Sequence, residues 1–286
     1  MQNTIALSRR LRRELLIVSW IESLPPSLWL ALQTLALWPS LAWAARRLAD
    51  GSDEPLGLAA LALLGAAAAS GKLACQREAR LPWLGAALAL TFLATALLPL
   101  LPPLALGVLS ALALGCAFAA FREPDSPWLP VAGLLLLALP VVASLQFYAG
   151  WPLRVVTAEA SAWLLQLGGL DTTRQGATLV VAGREVLVDA PCSGVQLAWL
   201  GYCAACASAL WQGTRDASFV ARLPLVGLLV LAGNIVRNAA LVAIESGALE
   251  APAWAHDAIG LFVLAAVTLP ITWLMTMRGG GDAARR

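Results

Sequence analysis

Three residues of this chain have side chains and settings suited to acyl transfer: Cys192, Arg237 and His256. Cys192 stands in Ala190-Pro191-Cys192-Ser193-Gly194, where a long polar loop meets an apolar run. The thiolate is the nucleophile, so the surroundings of the sulfur decide its use. The flanking Pro and Gly mark a loop-to-helix junction. A thiol at a helix start meets the positive end of the dipole, which predicts a lowered pKa. Arg237 lies within Leu231-Ala-Gly-Asn-Ile-Val-Arg-Asn-Ala-Ala240, inside an apolar segment. A charge there costs at least about 2.5–3.5 kcal/mol, so it marks a functional site by default; the plain alternative is an arginine that satisfies carbonyls in a helix bundle. Asn234 shares its helical face and Asn238 lies nearby. His256 is the only histidine, and it opens an apolar segment next to Asp257. A histidine at a helix start can be a simple polar cap, but no other is available for proton transfer. Glu245 and Asp257 could orient His256 or pair with Arg237, and solvated helix ends account for them equally well. Cys203 and Cys206 have the spacing of a redox or zinc pair. Helical rise buries them about 16–21 Å deeper than Cys192 with no further ligand at that depth, so packing is expected. No metal or cofactor is expected.

The elements that position these residues are apolar. Hydrophobic residues make up 60% of the 286 and charged ones 13%, which excludes a water-soluble domain of this size. The chain reads as an all-α polytopic membrane protein with about eight spans, at 27–45, 56–71, 81–101, 104–121, 128–147, 194–212, 223–245 and 255–276. Arg9, Arg10, Arg12 and Arg13 precede a Leu15–Trp20 run too short for a cleavable signal; it reads as a helix on the membrane surface.

With the N-terminus inside, inner segments carry thirteen Lys and Arg and outer segments five, with Arg237 left over. That bias predicts cytoplasmic termini in a bacterial inner membrane. Arg237 then lies about 12 Å below the outer end of its helix, and Cys192 and His256 fall at the outer, periplasmic face.

Two parts are expected within one integral membrane domain: residues 1–147 as a five-helix scaffold, and 148–286 as the part that does the chemistry. The long loop 148–194 is outside. Leu153, Val156, Ala160, Trp163, Leu164 and Leu167 share one face of an amphipathic surface helix. Thr178–Val181 and Glu185–Val188, around Ala182-Gly183, read as a β-hairpin before the sixth span.

Ala190-Pro191-Cys192-Ser193-Gly194-Val195, Asn234-Ile235-Val236-Arg237-Asn238 and His256-Asp257-Ala258-Ile259-Gly260-Leu261-Phe262, in this order, resemble the exosortase/archaeosortase family of membrane cysteine transpeptidases. The resemblance covers roughly residues 100–276; residues 1–100 match only in hydropathy. It implies Cys192, Arg237 and His256 as catalytic residues, with Asn234, Asn238 and Asp257 as supporting candidates. It also implies protein substrates whose C-terminal tails carry a short motif (Pro-Glu-Pro in the commonest class), a transmembrane helix and a basic cluster, in bacteria that secrete exopolysaccharide. Membrane lipid surrounds such an enzyme, a lipid or glycan is a possible acceptor, and no nucleic acid is involved. The rival readings are a transporter using Arg237 as a substrate contact and a non-enzymatic subunit of a polysaccharide-export system.

Overall fold

A computed structural model describes residues 24–124, 126–252 and 254–277; the expected surface helix at Leu15–Trp20 lies outside them. Ten α-helices and one small sheet follow each other in this range. They are α1 (Pro26–Ala36), α2 (Trp38–Ala49), α3 (Leu56–Ala69), α4 (Leu81–Ala96), α5 (Pro103–Ala120), α6 (Leu129–Leu137) and α7 (Val142–Leu167), then β1 (Thr172–Gln175), β2 (Thr178–Val181) and β3 (Arg184–Leu187), a 3₁₀ turn at Ala190–Ser193, and α8 (Val195–Gln212), α9 (Asp216–Glu245) and α10 (Ala255–Thr276).

Fewer helices than the eight expected spans have the length and composition of a membrane crossing. Among the described residues α5, α9 and α10 are long and apolar enough to cross a membrane, and the number rises to five if each of two bent pairs is one span. The first pair, α1 and α2, bends by 69° where one continuous span was expected. The second, α6 and α7, bends by 91° within the expected fifth span. Pro39 and Pro140 stand at or beside these breaks, and a proline removes a donor and clashes with the preceding turn. Helices α3 and α4, at 14 and 16 residues, reach only about 21–24 Å against roughly 30 Å of hydrocarbon.

Beyond the second bend, the expected loop helix is the far part of α7, which runs for 26 residues through Pro152. Its two faces divide the work. Val156, Trp163, Leu164 and Leu167 are exposed, an apolar stripe turned away from the protein as a lipid-facing helix requires. Thr157, Ala158, Ser161, Ala162 and Leu165 are buried, and this face packs on α9 and the sheet. The sheet has three antiparallel strands in the order β1-β2-β3 rather than the two of a hairpin. Leu179, Val181, Val186 and Val188 point into a small core shared with Ala158, Ala162 and Leu165 of α7 and Ala239, Val242 and Ala243 of α9.

The larger core joins α8, α9 and α10 to α3 and α6 through Trp199, Leu210, Val226, Val230, Val267, Ile271, Leu134 and Ala60. Outside it the helices stay apolar: Phe92 is 76% exposed and Phe262 73%, a surface that suits lipid and not water. Close approach comes from small residues. A Cβ on Gly233 of α9 would stand 2.3 Å from Val267 of α10, so only glycine permits this crossing.

Two contacts fix which ends meet. Thr214 Oγ1 donates to Met275 O at 2.8 Å, which puts the end of α8 beside the end of α10. Their starts, Val195 and Ala255, therefore share the opposite end of the bundle. At that end the loop after α2 clamps the second half of the chain. Asp53 Oδ1 caps α7 by accepting from Ala143 N at 3.1 Å, and Glu54 Oε1 accepts from Gln196 Nε2 at 2.6 Å.

Candidate active site

Cys192 occupies the 3₁₀ turn between β3 and α8. Its N–H donates to Asp189 O at 2.9 Å, and its half-buried side chain packs on the small core under the sheet. Two side chains hold the ends of the turn. Gln146 of α7 donates to Ala190 O at 3.1 Å and accepts from Ser193 Oγ at 2.9 Å. Asn234 of α9 donates from Nδ2 to Cys192 O at 2.9 Å and to Thr157 Oγ1 at 3.2 Å. Gly194 then leaves the turn with φ +85°, in the left-handed region that favours glycine.

Arg237 lies on the same face of α9 as Asn234, three residues nearer the C-terminal end of the helix. Its Nη1 donates to Pro191 O at 3.4 Å, which sets the guanidinium against the residue before Cys192. On its other side is α10: a Cβ on Gly260 would stand 4.0 Å from Arg237 Nε. Gly260 is one turn after His256, so His256 lies on the α10 face turned toward Arg237, one turn nearer the helix start. The fold thus brings Cys192, Arg237 and His256 to one end of α8, α9 and α10. His256 and Asp257 are exposed.

The structure shows what each candidate neighbour of Arg237 contacts. Asn234 does not partner Arg237; its donors are taken by Cys192 O and Thr157. Asn238 is likewise turned to α7, where Nδ2 donates to Ser161 Oγ at 2.9 Å. Among the described residues neither Glu245 nor Asp257 forms an ion pair with Arg237 or His256, and Arg237 keeps only its long contact to Pro191 O.

The expected low pKa of the Cys192 thiol is also overturned. Burial pushes it above the ordinary thiol range; Arg237 pulls it down, while Glu245 and Asp189 add to the rise. Burial is the largest of these influences, and the start of α8 lies three residues further on, at Val195. A thiol shifted in this direction calls for a base when it acts as a nucleophile.

Cys203 and Cys206 are buried free thiols. Cys206 Sγ stands 2.6 Å from where a Cβ on Gly133 would be, so Cys206 fills space between α8 and α6, and Cys203 is buried in the larger core. Among the described residues no group of three or more His, Cys, Asp or Glu side chains could hold a metal ion. Gln146 and Ser193, which hold the turn, and Thr157, which holds Asn234, were not legible as site residues. Polar residues four apart on the otherwise apolar buried face of α7, Thr157 and Ser161, were the signal that could have found Thr157.

A mostly helical, multi-pass membrane architecture with a thiol, a guanidinium and an imidazole gathered at one end of three packed helices defines the class. The chain belongs to the transmembrane exosortase family, whose model matches residues 34–273. That membership carries a membrane transpeptidase role. Neither a curated protein nor a solved structure matches the chain.

Proposed function

We propose that this protein is a membrane-embedded cysteine transpeptidase that cleaves the C-terminal sorting tails of exported proteins at the outer face of the bacterial inner membrane. The observation that carries the reading is the placement of the Arg237 guanidinium between the Cys192 turn, through Pro191 O, and the His256 face of α10, through Gly260.

The chemistry runs in two balanced halves. His256 takes the proton of the Cys192 thiol, and the sulfur attacks the scissile carbonyl carbon. Arg237, a partly buried cation with no acidic partner within 4.0 Å among the described residues, stabilises the tetrahedral oxyanion. The C–N bond breaks, the leaving amine takes the proton from His256, and a thioester joins Cys192 to the upstream protein. An acceptor then gives its proton to His256 and attacks the thioester, and the sulfur leaves and regains a proton. Water as acceptor gives proteolysis; an amine or hydroxyl of a lipid or glycan gives sorting.

The substrates are proteins ending in a short recognition motif, a transmembrane helix and a basic cluster. Residues 1–147 serve as the scaffold and 148–286 carry the chemistry. Co-expression with a protein bearing such a tail tests this. Cys192→Ala is expected to abolish processing while the protein still accumulates in the membrane. Full processing by that variant would end the cysteine mechanism.

A further inference from the structure

We propose that Asn234 is the positioning residue for the Cys192 turn, with Gly194 as the surface it requires; the inference rests on reading Cys192 as the nucleophile. Asn234 is 2% exposed and sits at the meeting point of α7, α9 and the turn. One donor of its amide goes to Thr157 Oγ1 on α7 and the other to Cys192 O. Its Oδ1 is buried without a hydrogen-bond partner. A buried, unmet acceptor is a cost, and the amide keeps an orientation that satisfies the Cys192 carbonyl in spite of it.

The contact is also steric. A Cβ on Gly194 would stand 2.8 Å from both Cγ and Nδ2 of Asn234, and Gly194 has φ +85°. Glycine is therefore needed twice, for the backbone conformation and for the approach of the amide. Arg237 is one turn along from Asn234 on the same helix face, so the carbonyl bond sets the height of Cys192 against the guanidinium.

A neighbouring pair separates this role from ordinary helix joining. Asn238, one turn further along α9, donates to Ser161 as Asn234 does to Thr157, but it has no bond to the turn. Both links tie α9 to α7; only one also holds Cys192.

The test uses the full-length protein in detergent with Cys192 as its sole cysteine, and iodoacetamide as the probe. The limiting alkylation rate at high pH, where the thiolate is fully formed, reports access to the sulfur and not its pKa. Asn234→Ala is expected to raise that limit at least about fivefold, because the half-buried thiol is no longer held down. Asn234→Asp keeps the shape and loses the donors, and should do the same. Ser161→Ala, which removes the links from α7 to Asn238 and Ile235 O of α9 and none to the turn, should alkylate like the parent. Processing of a tail-bearing protein should fall at least about tenfold in Asn234→Asp, in step with the rate change.

Parent-like alkylation and processing in Asn234→Asp would overturn the proposal. Should the Asn234 variants not accumulate, Gly194→Ala takes their place, since it pushes the turn off the amide without removing a polar group from between the helices. The same rise in alkylation is expected from it, and an unchanged rate would count against the proposal. Processing that survives Cys192→Ala would defeat the cysteine mechanism itself, a result the alkylation measurement does not depend on.

Discussion

Arg237 Nη1 rests 3.4 Å from the carbonyl oxygen of Pro191, so the one charge of α9 between Arg222 and Glu245 is set against the residue preceding the proposed nucleophile. A membrane helix that buried this charge for structural reasons alone would surround it with acceptors or an acidic side chain. Here one long contact to a carbonyl is made, and the guanidinium faces the turn.

The charges around Cys192 make opposed predictions. Arg237 favours the thiolate and Glu245 disfavours it. Arg237→Gln removes a cation that stabilises the anion, so the midpoint of pH-dependent alkylation should move up. Glu245→Gln removes an anion that destabilises it, so the midpoint should move down. Both are measured with iodoacetamide on the protein with Cys192 as sole cysteine. Shifts of the same sign in the two variants would contradict the electrostatic account.

Orientation is tested from outside the cell. With the other four cysteines replaced, Cys192 should react with a membrane-impermeant maleimide without permeabilising the inner membrane. Labelling that requires permeabilisation would invert the topology and move the site to the cytoplasm.

The role of Cys206 as packing predicts a repairable clash. Gly133→Ala sets a methyl where Cys206 Sγ lies 2.6 Å away, and overpacking of this kind costs about 1–3 kcal/mol. Thermal unfolding in detergent should fall accordingly, and Cys206→Ala in the same chain should recover most of the loss. A loss that Cys206→Ala leaves untouched would show that the sulfur is not what fills this gap.

These residues also show what was legible beforehand. Arg237 announced itself, because a charge in an apolar run has few explanations, and topology alone put Cys192 and His256 at its end of the membrane. The role of Asn234 was hidden. Its sequence neighbour is Arg237, whereas its partner is a carbonyl 42 residues earlier, brought up by a glycine turn that only the folded chain displays. The thiol pKa failed for a related reason: the dipole is a local feature that sequence implies, and burial under the sheet is not. Strand β1 was missed because Thr172–Gln175 is polar, with no apolar alternation to reveal it. The breaks at Pro39 and Pro140 could have been read from the prolines, but the uninterrupted apolar runs around them favoured straight spans.

The most direct measurement is of the covalent intermediate. Purified wild-type protein mixed with a tail-bearing substrate and quenched in acid should gain the mass of the upstream fragment on the peptide that contains Cys192. Hydroxylamine should release that fragment as a hydroxamate, the signature of a thioester, and Cys192→Ala should show neither. Cleavage of the substrate with no adduct on Cys192, or an adduct that persists in Cys192→Ala, would contradict the account.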